Sequence, residues 1–360
     1  MNRLILIAGA SRSGTSLFSG MLNALGAYVP QPEVVPDDTN PRGFSEPRWV
    51  VEYHAKLLRT VGVQVADARP DAWAKTAEIA HNRSLRVELE RWVRRQFRHG
   101  DHVLVKDPRL LWFIPLWVRA ADRIATPRFA TVLRHPLEVI QSQQTYYVAW
   151  HPNNRAAAWL NTMLFTERAT RGHLRAFVPY DELLGDWMLA LSRANAAMGL
   201  QLVENATARQ MRLVNQLVDP SLRRSDATWS SLGVDQRLVD LTEDVWALFN
   251  QLNTAGTVGT ETITGLDSAR AAYVELYGFA ETTAQSSVFA AQRARLWSLL
   301  TASRWSPNQT PLTPTMAAQK LAARARRTGL RALRQLGSGS SSDGTTGPPP
   351  VTSTEPQRPQ

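Results

Sequence analysis

The first twenty-six residues constrain the fold most. Residues 3–8, RLILIA, form an apolar run with no polar alternation, which suits a strand buried on both faces, and the run stops at Gly9. From Ser16 on, Leu17, Phe18, Met21, Leu22 and Leu25 recur at helical spacing, and Gly26 stands where a C′ residue belongs. The opening unit is therefore strand, loop, helix. Gly9 and Gly14 have the spacing GxxxxG, followed by Thr15 and Ser16. Successive backbone N–H groups of such a loop, with a helix N-terminus behind them, make a concave site for an anion. A nucleoside-triphosphate loop needs a Lys directly after the second Gly. This chain has Thr15 there, and its cation, Arg12, lies two residues before Gly14. Two other readings compete. Arg3, the apolar run and the small residues AGA have the outline of a secretory leader, but the ordered continuation to Gly26 argues against it. A plain Gly/Ser turn is the alternative for any single match of this kind.

The pattern repeats along the chain. Helical stretches are expected near 48–60 and 83–98, after a turn-rich connection. A second apolar strand, HVLVK at 102–106, ends in Asp107-Pro108, and a third, RFATVL at 128–133, ends in Arg134-His135-Pro136. Pro136 suits a first helical position, with Glu138 in the first turn and His135 as the cap. A fourth strand is expected at 174–180, LRAFVPY. Strands alternating with helices predict an α/β fold: a P-loop-like parallel sheet flanked by helices, with polar loops at the strands' carboxyl ends. Beyond about residue 185 the pattern is mainly helical, and from Gly337 the Gly/Ser/Pro-rich stretch predicts a disordered tail. The expected division is a core at 1–252, a helical C-terminal region at 253–336 and the tail at 337–360.

With no cysteine among the 360 residues, disulfides, thiolate nucleophiles and Cys-bound zinc are excluded. The net charge of +10 allows nucleic acid, an anionic membrane or a small polyanion as partner. Only Lys56, Lys75, Lys106 and Lys320 are lysines among the 41 basic residues, so each is a point charge that the prevailing Arg cannot imitate.

These residues resemble the sulfotransferases that use 3′-phosphoadenosine 5′-phosphosulfate (PAPS), in particular their bacterial branch. The likeness lies in SRSGTS (11–16), NPRGFSE (40–46), VKDPRL (105–110), RHPLEVIQS (134–142) and VPYDELLGDW (178–187), in the family's order over roughly residues 1–190. The resemblance implies that Arg12, Ser13, Gly14, Thr15 and Ser16 hold the 5′-phosphosulfate, with Arg12 assisting the leaving group. It also implies that Arg134 and Ser142, eight residues apart, contact the 3′-phosphate. Two separated anionic groups require two anion sites on one sheet edge, and loops after parallel strands supply them. A salt-bridging Arg and a polar helix position are the ordinary alternatives for those two residues.

Sulfuryl transfer to a hydroxyl is an in-line displacement that asks for positioning and charge neutralisation, and no metal is expected. Cytosolic animal relatives take their base from a His just after the strand that here ends at Lys106, and this chain has none there. Glu46 is the best match to the Glu of other branches. The turn NPRG, with Pro at i+1 and Gly at i+3, fixes it at the sheet edge, against the alternative of an exposed Glu opening the next helix. Lys106 is expected to contact the transferring sulfonate, with Asp107 orienting it or the acceptor; a surface Lys–Asp pair is the plain alternative, and Arg109 is a weaker candidate. The other histidines form no constellation along the sequence. Aromatics at 144–150 and 156–160 could line an acceptor pocket, although core packing accounts for most. Arg223 and Arg224 could close over the nucleotide. The acceptor class is a small molecule, glycan or lipid, and nucleic acid is not expected. A basic helix at 316–336 could rest on the inner face of a membrane, in a cytoplasmic protein. The rival enzyme reading takes HVLVKD as a Walker B strand whose Asp107 holds magnesium, which gives a P-loop kinase. The rival non-enzyme is a basic binding protein.

Overall fold

The structure, a computed structural model, describes residues 2–38, 40, 43–146, 150–219, 228–253 and 259–301. Arg223, Arg224, the basic stretch 316–336 and the tail 337–360 lie outside the described residues.

Four parallel strands, β1 (Arg3–Ile7), β2 (His102–Lys106), β3 (Thr126–Leu133) and β4 (Arg175–Pro179), form one sheet in the order β2-β1-β3-β4. Ile7 lies opposite Lys106 on one side and Ala130 on the other. Helices α1 (Thr15–Ala24), α2 (Arg48–Val61), α3 (Ala72–Ala77) and α4 (Arg83–Gln96) connect β1 to β2. Helix α5 (Ile114–Ala121) leads to β3, and α6 (Pro136–Tyr146) with α7 (Pro152–Ala169) to β4. Then follow α8 (Tyr180–Gly185), α9 (Trp187–Ala197), α10 (Ala208–Leu217), α11 (Trp229–Leu232), α12 (Gln236–Asn253) and α13 (Thr260–Thr301). The chain divides into two units, Met1–Ala280 and Glu281–Gln360; the first holds the sheet, and the described part of the second, 281–301, is helical.

The lack of alternation in β1 has a direct cause. Leu4 and Leu6 pack into a cluster with Val50 and Leu57 of α2 and Trp117 of α5, while Ile5 and Ile7 pack into another with Phe18 and Leu22 of α1 and Leu191 of α9. Both faces of the sheet are covered, so the strand is apolar without alternation from Leu4 to Ile7. The start of α1 is unusual: Gly14 caps it in the left-handed region, with no side-chain cap. Its end is conventional, with Gly26 at C′ (φ 107°) and the Ala27 N–H returning to the Leu22 carbonyl.

The strand order positions the site. From β1 the chain leaves towards β2, and from the adjacent β3 it leaves towards β4, so the carboxyl ends of β1 and β3 border the switch point where α/β sheets bind ligands. The loop from Gly9 to Gly14 and the pair Arg134-His135 sit there.

Candidate functional site

The loop after β1 turns through three residues with positive φ: Gly9 (129°), Arg12 (68°) and Gly14 (91°). Arg12 is the costly one, because a side chain disfavours that region. It is braced on both sides. Its Nε donates to Ser142 Oγ at 3.1 Å, and its carbonyl accepts from Arg134 Nη1 at 3.2 Å. Gln143 Nε2 donates to Ser11 Oγ at 3.3 Å. The two segments that the sequence places at separate strand ends therefore meet at Arg12.

Arg134 is also held by Glu138, which accepts from its Nε at 2.8 Å, and its guanidinium lies 4.8 Å from the centre of the Tyr180 ring. The salt-bridging alternative for Arg134 is thus part of its environment, one helical turn away. The same Tyr180 ring lies over Gly14, where a Cβ would fall 2.2 Å from Cδ2. Tyr180 opens α8, within the VPYDELLGDW stretch, yet the spacing gave no hint that its ring roofs the first loop. His135 caps α6 as expected, its Nδ1 accepting from the Leu137 N–H at 3.3 Å.

A second cluster forms at the end of β2. The turn at residue 40 closes with the Gly43 N–H on the Asn40 carbonyl at 3.0 Å, and Ser45 takes a positive φ of 51°. Glu46 then reaches Lys106, whose Nζ donates to its Oε1 at 2.6 Å, to Ser16 Oγ at 3.1 Å and to the Phe44 carbonyl at 3.2 Å. Asn40 Nδ2 also donates to Ser16 Oγ, at 3.2 Å. Glu46 is 7% exposed and Lys106 4% exposed, so neither is the surface group that the plain alternatives describe. Burial pushes the Glu46 carboxyl above its ordinary value, and the Lys106 ammonium only partly opposes that.

Asp107 does not orient Lys106. It lies just past the end of β2, accepts from Arg109 Nη1 at 2.8 Å and pairs with His54 Nδ1 at 2.7 Å. His54 Nε2 accepts from Trp117 Nε1 at 2.9 Å, so the ring proton sits on Nδ1 and donates to Asp107. Burial alone would raise the Asp107 carboxyl, but the bonds from His54 and Arg109 outweigh it and hold the group below its ordinary value. This buried His–Asp pair is the constellation that the sequence did not reveal. With both ring nitrogens engaged, His54 orients Asp107 and through it Arg109. The engagement of Asp107 also departs from the Walker B reading, in which its carboxylate faces a metal. Among the described residues no group of three metal-ligating side chains occurs.

No family model and no curated protein matches the chain. Among solved structures, a sulfotransferase domain from the curacin biosynthetic pathway is similar at 14% identity, with a TM-score of 0.36, over 74% of this chain and 97% of that one. A sulfotransferase domain from the Synechococcus PCC 7002 olefin synthase is similar at 17% identity, with a TM-score of 0.35, over 74% of this chain and 94% of that one. The chain is thus similar, at low identity, to two sulfotransferase domains.

Proposed function

We propose that the protein is a sulfotransferase that moves the sulfuryl group of PAPS to an acceptor hydroxyl and releases 3′,5′-adenosine bisphosphate (PAP). One observation carries this reading: the loop 11–16 and the pair Arg134 and Ser142 converge on Arg12 at the switch point of the sheet. A donor with two separated phosphate-bearing ends needs two adjacent anion sites. The N–H groups of residues 13–16, at the start of α1, suit the 5′ end, and the Arg134 fork with the Ser142 hydroxyl suits the 3′-phosphate.

In this reading the acceptor oxygen attacks sulfur while the bond from sulfur to the bridging phosphate oxygen breaks. The electron pair stays on that oxygen, where Arg12 balances the charge, and the acceptor proton passes to the Glu46 carboxylate. Lys106 holds Glu46 in place and lies within reach of Ser16, close to where the sulfonate would sit.

Thermal unfolding with added ligands tests the reading. PAP at 100 times its dissociation constant should stabilise the protein by about 2.7 kcal/mol, with no comparable shift from Mg-ATP or a duplex oligonucleotide. Stabilisation by Mg-ATP alone would replace this reading with the kinase. Arg134→Ala should weaken PAP about tenfold or more beyond its effect on adenosine 5′-phosphosulfate, which lacks the 3′-phosphate, because a charge-assisted bond is worth roughly 1.5–3 kcal/mol. Equal weakening of both ligands in a titration would reduce Arg134 to a brace for the loop.

A further inference from the structure

Every hydrogen of the Lys106 ammonium is engaged. It has three to donate, and Glu46 Oε1, Ser16 Oγ and the Phe44 carbonyl take one each. Both hydrogens of the Asn40 side-chain amide are engaged as well, one on Ser16 Oγ at 3.2 Å and one on the Gly43 carbonyl at 2.6 Å. Because a carbonyl only accepts, the Gly43 bond fixes which way round that amide lies. Ser16 Oγ thus accepts twice, from two groups that cannot accept in return, and both its lone pairs are filled. Its own hydrogen has to point elsewhere, and no described residue takes it. Ser16 is half-buried in the first turn of α1, a helix start that no side chain caps. The cluster leaves one acceptor open too: Glu46 Oε2 takes no bond from a described residue and is not sealed from solvent.

We infer that Asn40 is a positioning residue: together with Lys106 it saturates Ser16 Oγ, so that the Ser16 hydroxyl can only donate, and it donates to a sulfonate oxygen of bound PAPS. The inference rests on the sulfotransferase reading and deepens it. The sulfonate is the group named because a single lysine links Ser16 to Glu46, and the proposed base faces the sulfur end of the donor. A serine hydroxyl without partners can turn a lone pair towards its ligand, which a sulfonate, an acceptor only, repels. With both lone pairs filled, the hydrogen is aimed before the ligand arrives, and binding has no rotor left to order. Lys106, with no hydrogen left over, acts on the sulfonate through Ser16, because a hydroxyl that accepts from an ammonium becomes a stronger donor. PAP has no sulfonate, so the network discriminates between PAPS and the product.

Titration of the full-length protein with PAPS and with PAP, without acceptor, tests this. Ser16→Ala should weaken PAPS about tenfold, the scale of one hydrogen bond to a charged group, and leave PAP within about twofold of wild type. Ser16→Thr, which keeps the hydroxyl, should bind PAPS within about threefold of wild type. Asn40→Ala should weaken PAPS about fivefold, again with PAP nearly unchanged. In the Ser16→Ala background, Asn40→Ala should add less than about twofold, because its effect runs through that hydroxyl. Asn40→Ser, which keeps a short donor for the turn, replaces the alanine variant if that one does not fold. Three results overturn the inference: PAPS and PAP weakened alike, which would make both residues braces for the loop; PAPS affinity unchanged in either single variant; or an Asn40→Ala effect that persists in full without the hydroxyl. Failure of the wild-type protein to bind PAP would instead overturn the reading beneath it.

Discussion

Glu46→Gln is expected to lower kcat by about 10²–10⁴-fold, the range lost with a positioned base, while PAP binds nearly as before. The substitution keeps shape and size but removes the group that accepts the proton. Its pH dependence separates this role from a structural one. Burial raises the Glu46 carboxyl above 4.5, and only the ionised form accepts a proton. Wild-type kcat should therefore fall as pH drops through a value above that of an ordinary Glu, and the variant should lack this acidic limb. For stability the sign is opposite. The folded state holds this proton more tightly than the unfolded chain, so Glu46 costs stability as pH rises through its folded-state value, and the cost fades below the unfolded one. The partner matters as well: Lys106 would be left buried without its carboxylate, so the melting temperature should be recorded beside kcat. Near-normal turnover in a folded variant would assign the base elsewhere.

Gly14→Ala should have the largest structural effect. Two costs add at one atom. The φ of 91° is strained for any residue with a side chain, at about 1–3 kcal/mol, and the new Cβ, 2.2 Å from Tyr180 Cδ2, adds an overpacking cost of about 1–3 kcal/mol. Because Gly14 also heads α1, the loop N–H groups should lose their alignment and PAP affinity with it. Calorimetry and a PAP titration check both effects. Repeating the change in a Tyr180→Leu background should return the packing part and leave the backbone part, which a double-mutant cycle resolves. A wild-type melting temperature in Gly14→Ala would mean that the ring moves aside at little cost.

The strands were legible to within two residues, and the first three because a residue that cannot continue the strand follows within three positions of its end: Gly9, Pro108, Pro136. The meeting of residues 11–16 with Arg134 and Ser142 was legible for a related reason, since parallel strands deliver their following loops to one edge. The second cluster was not. Lys106 and Asp107 are neighbours in sequence, which suggests a pair, but Lys106 closes β2 while Asp107 lies just beyond it, and each bonds elsewhere. Their true partners, Glu46 and His54, lie 60 and 53 positions away. Tyr180 over Gly14 belongs to the same class, because nothing local in either segment encodes a contact between the end of β4 and the start of α1.

The brace on Arg12 has a thermodynamic consequence. One peptide unit, held in a strained conformation, is shared between the loop at the end of β1 and the residues that follow β3. A ligand group that engages Arg134 or Ser142 changes how firmly that unit is held, and so changes the affinity of the loop for the other end of the same ligand. By reciprocity the loop's occupant acts back on Arg134 to the same degree. In the proposed reading, the donor's two ends are energetically coupled, so the affinity of a nucleotide fragment for one site depends on whether the other site is filled.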